Sequence, residues 1–130
     1  MTRVLVVHHD PDMADQEADS LRRMGYSVDQ CAGPTYGPCP ILNGLPCVAA
    51  ETADVLVYDI WASGDPDSAR QLIEQLREFH PTVPIVLTAP GMQMDWVATT
   101  GLHAVTPLVG AITGERLGAA IEQALALPAG

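Results

Sequence analysis

Apolar residues in this chain cluster in short unbroken runs separated by segments of helical periodicity. Val4-Leu5-Val6-Val7, Asp54-Val55-Leu56-Val57-Tyr58 and Pro84-Ile85-Val86-Leu87-Thr88 are the clearest runs. Leu102-His103-Ala104-Val105 is weaker, and Tyr26-Ser27-Val28-Asp29-Gln30 follows Gly25. Runs without polar alternation predict strands covered on both faces, as in a parallel sheet. Asp10-Pro11-Asp12 places an N-cap, a first-turn proline and an early acid together, which predicts a helix to about Met24 that stops at Gly25. Asp65-Pro66-Asp67 repeats that start, and Ala69, Leu72, Ile73, Leu76 and Phe79 follow at helical spacing before Pro81 and Pro84. A last helix begins near Thr113 with Leu117, Ala120, Ile121, Ala124 and Leu125 on its apolar face.

Residues 33 to 47 break the alternation. The stretch GPTYGPCPILNGLPC holds four prolines and three glycines, so no long helix can pass through it. An irregular loop is expected over 33–50, with at most one short helix near Val48 to Thr52, in place of most of the second crossover helix. Its apolar residues Ile41, Leu42 and Leu45 are candidates to dock on the sheet edge.

Strand–helix alternation over 130 residues predicts a single α/β domain, 1–130, with a doubly wound five-stranded parallel sheet. Hydrophobic residues make up 48% of the chain, enough for an ordinary core. No run has the length of a membrane span, and Val4 to Val7 is too short for the core of a signal peptide. A cytoplasmic protein is expected. Sixteen acidic against six basic residues give a formal charge of −10, which opposes direct binding to nucleic-acid phosphates or anionic membranes.

Chemistry in such a sheet sits at the carboxyl ends of the strands. Those ends carry His8, His9 and Asp10; Cys31; Asp59; Thr88; and Thr106. The segments VLVVHHDPDMADQEADSLRRMGYSV, ADVLVYDIWASGDPD, PIVLTAPG and AVTPLVGAITGERLGAAIEQAL resemble, in order and spacing, the receiver domain of two-component response regulators. That resemblance implies a flavodoxin-like fold with strand order 2-1-3-4-5. It places the family's phosphate-accepting aspartate on Asp59 and its switch hydroxyl on Thr88. The acidic pair that holds Mg²⁺ falls on His8 and His9, with Asp10 one position later. The lysine that precedes a proline at the end of the fifth strand falls on Thr106, before Pro107. The resemblance thus implies a pseudo-receiver variant, since Mg²⁺ wants hard oxygen ligands whereas imidazole suits Zn, Cu, Ni or Fe. Phosphoryl transfer also relies on cations that this chain lacks there.

Cys31, Cys39 and Cys47 are separated by seven residues each, unlike the tight pair of common zinc modules. Topology nevertheless brings Cys31 beside His8 and His9, and the loop carrying Cys39 and Cys47 can fold over them. These five residues are a candidate ligand set for zinc or an iron–sulfur cluster; small buried thiols are the plainer alternative. His80, at a helix end, and His103 read as structural. Met92, Met94 and Trp96 form a candidate soft contact patch in a region where receivers meet partners.

Three functions compete. The first is a signal-transduction domain that works by contacts with a protein partner, without standard Mg²⁺-dependent aspartyl phosphorylation. The second is a metal- or redox-responsive sensor built on the cysteines and His8/His9. The third is a phosphorylatable receiver with an unusual site at Asp59. An enzyme is not expected, because no nucleophile–base pair, P-loop or dinucleotide fingerprint is present.

Overall fold

A computed structural model describes residues 2–33, 39–89 and 105–126. The elements run β1 (Arg3–Val7), α1 (Pro11–Arg23), β2 (Ser27–Cys31), a 3-10 turn (Ile41–Asn43), α2 (Val48–Thr52), β3 (Val55–Asp59), α3 (Pro66–Phe79), β4 (Ile85–Ala89), β5 (Val105–Val109) and α4 (Gly114–Ala126). The five strands are parallel in the order β2-β1-β3-β4-β5.

Alternation along the strands explains why both faces need helices. Val4, Val6, Val55, Val57 and Val86 point to one side, where Ala18 and Leu21 of α1 and Leu117, Ile121 and Ala124 of α4 cover them. Leu5, Val7, Leu56, Tyr58, Ile85 and Leu87 point to the other, against Leu72, Ile73 and Leu76 of α3 and Ala50 of α2. The predicted helix starts are real caps. The Asp10 carboxylate accepts the Asp12 and Met13 N–H groups, and Asp65 accepts the N–H of Ser68.

The proline-rich segment keeps only the five-residue α2. Ile41 docks into the core, whereas Leu45 stays exposed, so only part of the expected docking occurs; the Leu42 side chain is not among those described. His80 closes α3 and accepts the Cys47 N–H on Nε2 at 3.2 Å, which ties the start of α2 to the end of α3.

The fifth strand extends past its expected end. As described it runs from Val105 through Pro107 to Val109, so Pro107 lies within the strand and not in the turn after it. Proline lacks an N–H to donate, and β5 tolerates it because among the described residues it is an edge strand with one neighbour. Residues Leu102, His103 and Ala104 lie outside the described residues, as do Met92, Met94 and Trp96.

Candidate functional site

Register brings the ends of the central strands together. Asp59 pairs with Thr88, and Val7, the last residue of β1, pairs with Tyr58. His8 and His9 then leave β1 toward Asp59. Their rings stack, with centroids 5.0 Å apart and planes inclined by 18°. His9 Nδ1 is hydrogen-bonded to Asp59 Oδ2, and His8 Nδ1 is 3.7 Å from the same oxygen. A carboxylate can only accept, so His9 donates from Nδ1. Asp59 is 1% exposed, and its partner His9 is 42% exposed.

His8 has a different set of partners. Its Nδ1 accepts the Asp10 N–H at 3.0 Å, which puts the ring proton on Nε2. That Nε2 lies 3.4 Å from Glu17 Oε2. Burial holds the His8 pKa below its ordinary value, with Asp59 opposing the shift. Burial, helped by the charge of Asp59, pushes Glu17 up to about 7. Glu17 Oε1 has no hydrogen-bond partner among the described residues.

Glu17 was not singled out from the sequence, although a signal exists. Ala14, Glu17, Ala18 and Leu21 are the buried residues of α1 at positions i, i+3, i+4 and i+7, so a carboxyl group stands inside the apolar stripe. An acid at such a position needs a reason, because burying an unpaired charge is costly.

The remaining expected site residues separate. Asp10 caps α1 and does not join the His8–His9–Asp59 group. Thr88 is buried and donates to the Tyr58 carbonyl at 3.4 Å. Thr106 lies mid-strand opposite Val86, while Leu108 stands opposite Thr88. No residue of β5 is basic, and the whole sequence contains no lysine. Arg22 and Arg116 direct their guanidinium groups to backbone carbonyls elsewhere.

The cysteine set is not assembled as a metal centre in this arrangement. Among the described residues the one group of three ligands within 4.8 Å of one another is His8, His9 and Asp59. Cys31, Cys39 and Cys47 are free thiols that share the lining of an apolar cavity of about 70 Å³ with Val7, Ile41 and Tyr58. Burial pushes the Tyr58 hydroxyl upward in pKa, and that hydroxyl is hydrogen-bonded to Ser63. The Cys31 carbonyl, not its thiol, reaches the histidine pair, by accepting the His8 N–H at 3.1 Å.

Mg²⁺, which the resemblance implies, is a poor fit to this donor set. Two imidazole nitrogens and one carboxylate oxygen replace the oxygen-rich octahedron that Mg²⁺ demands.

No protein-family model matches the chain, and no curated protein matches it. Solved structures do. A response regulator receiver domain protein from Clostridium thermocellum superposes with a TM-score of 0.74 at 17% identity, over 96% of this chain and 94% of that one. The chemotaxis protein CheY4 of Vibrio cholerae gives 0.73 at 17% identity, over 95% and 98%. The receiver domain of the hybrid histidine kinase CckA gives 0.67 at 24% identity, over 95% and 98%. At these identities the likeness establishes the fold, which is that of receiver domains, with the expected strand order. No described helix is long and apolar enough to cross a membrane.

Proposed function

We propose that this protein is a signalling domain of the receiver type that acts through contact with a protein partner and not through Mg²⁺-dependent aspartyl phosphorylation. The observation that carries this reading is the engagement of Asp59 by His9. The carboxyl group at the phosphoacceptor position is buried, and one of its oxygens is held by an imidazole from the position where a metal-binding acid is expected. In-line attack on a phosphodonor needs an accessible carboxylate and cations on the transferred group. Here the lysine is missing, and the metal pair is replaced by rings that stack on each other.

The receiver fold itself supports a place in a signalling pathway, with a kinase-like or effector protein as partner. The charge of −10 favours a basic protein surface over nucleic acid or anionic lipid. Three free thiols agree with a reducing, cytoplasmic setting.

The test is incubation with acetyl phosphate or phosphoramidate, with and without Mg²⁺, followed by intact mass. No phosphoryl adduct is expected under conditions that load an ordinary receiver. A hydroxylamine-labile adduct that disappears in Asp59→Asn would overturn the reading in favour of a working phosphoacceptor.

A further inference from the structure

The buried Glu17 and the paired histidines have a joint explanation. The geometry points to a site for a first-row transition dication of the Zn²⁺ class, held by His8 Nδ1, His9 Nδ1 and Asp59 Oδ2, with Glu17 positioning His8 from behind. Three observations support it. One ligand atom from each of the three residues already lies within 4.8 Å of the other two, and His8 Nδ1 is 3.7 Å from the Asp59 Oδ2 that His9 Nδ1 contacts. Two nitrogens and one carboxylate oxygen are a donor set that suits Zn²⁺, Co²⁺ or Fe²⁺ and leaves open positions for water or a ligand. Glu17 supplies the outer carboxylate that metal-bound histidines commonly have. Its Oε2 is 3.4 Å from His8 Nε2, the nitrogen left over when Nδ1 ligates.

Glu17 is the independent observation. It is 6% exposed, and its Oε1 lacks a hydrogen-bond partner among the described residues. The sequence alone gives no reason for a carboxyl group in the apolar stripe of α1. A dication bound to His8 and Asp59 gives one, because it polarises the His8 Nε2–H toward Glu17 and offsets the two buried carboxyl groups together.

Two existing contacts must yield. The Asp10 N–H gives up the lone pair of His8 Nδ1. The proton on His9 Nδ1 moves to Nε2, or to solvent if the ring is protonated, and His9 is exposed enough for either. The metal then replaces a proton between His9 and Asp59. The Cys31, Cys39 and Cys47 thiols take no part.

The experiment is calorimetric titration of Zn²⁺ into the metal-stripped, reduced full chain, with Mg²⁺ in large excess as competitor. One equivalent should bind regardless of Mg²⁺. Affinity should fall at least tenfold in His9→Gln and in Asp59→Asn, and roughly ten- to a hundredfold in Glu17→Gln. The variant with all three cysteines changed to serine should bind as the parent does. Should that variant not fold, the Co²⁺ spectrum of the parent decides. Weak visible bands without intense thiolate charge transfer are expected. Absence of Zn²⁺ binding, retention of full affinity in His9→Gln, or intense thiolate charge transfer would overturn the proposal. The signalling reading is tested separately by phosphodonor loading, so either can fail without the other.

Discussion

His9 occupies the space in front of Asp59, its Nδ1 bonded to Asp59 Oδ2. A residue two positions after the end of β1 thereby closes the carboxyl group that ends β3. The pair supplies from within the chain a hydrogen-bond partner for the Asp59 carboxyl group.

It follows that Mg²⁺ should leave the protein unchanged. Trp61 stands two residues after Asp59 and is 37% exposed, so its fluorescence reports on the site. Titration of Mg²⁺ to millimolar levels should give no saturable quenching. The double substitution His8→Asp and His9→Asp should behave differently. It places three carboxyl groups together and removes the imidazole partner, so the free protein should lose about 1–3 kcal/mol. Mg²⁺ should then restore part of that stability and quench Trp61.

Glu17 and His8 predict opposing pH dependences in the metal-free protein. Glu17 titrates at about 7 in the folded chain against 4.5 in the unfolded one. The folded state therefore binds more protons over that window, and the Glu17 contribution to stability falls as pH rises from about 4.5 to about 7. Its size is at most about 3 kcal/mol at 1.36 kcal/mol per pH unit. His8 is depressed from 6.5, so its contribution is present above 6.5 and is lost as pH falls through the folded value. Urea denaturation of Glu17→Gln from pH 4 to 8 separates them. The variant should be more stable than the parent at pH 8 and close to it at pH 4, and its stability should rise with pH through the His8 window. A parent whose stability rises steadily with pH, unaltered by Glu17→Gln, would refute the assignment.

Much of this was legible in the sequence, for identifiable reasons. Both Asp-Pro-Asp starts announced real caps, and the unbroken apolar runs announced β1, β3 and β4, because strands covered on two faces have no polar side. The short α2 followed from four prolines between residues 33 and 47. The error at β5 has an equally physical cause. Proline reads as a strand terminator, yet at a sheet edge its missing N–H costs nothing, so Pro107 fell inside the strand and Thr106 away from the strand end. At the site, alignment of the first strand indicated His8 and His9, but only tertiary structure shows which ring meets Asp59 and which meets Glu17. The arrangement of the cysteines was not legible, because even spacing and neighbouring strands say nothing about where thiols lie. All three are among the residues lining an apolar cavity.

The bond from the Cys47 N–H to His80 Nε2 predicts local rather than global effects. His80→Ala removes the acceptor and leaves a partly buried N–H without one, at about 1–2 kcal/mol. Since α2 has only five residues, it cannot hold itself together once its first turn is released. Amide exchange at 47–52 should accelerate more than exchange in β1 or β3, and a thiol reagent should modify Cys47 faster than in the parent. Uniform acceleration throughout the chain would show instead that His80 matters through core packing.

Gly33 connects the loop after β2 to the loop after β3, and a single methyl group tests the connection. Its φ is +88°, and a Cβ there would lie 2.7 Å from the Ala62 carbonyl oxygen. Gly25 has φ +100° with nothing within 4 Å, so it isolates the conformational cost from the clash. Gly25→Ala should cost about 1 kcal/mol, the strain of a left-handed residue partly offset by a stiffer unfolded chain. Gly33→Ala adds a backbone collision that cannot be relieved by rotating a side chain. Ala62 is fully buried, and its N–H is bonded at 2.9 Å to the Asp59 carbonyl. Relief must come from moving the segment that follows Asp59, which also bears on the His9 contact. Gly33→Ala should therefore lose about 2–3 kcal/mol and shift the His9 ring resonances, whereas Gly25→Ala should leave those resonances in place. Equal losses in the two variants, with no shift at His9, would show that the two loops are not mechanically joined.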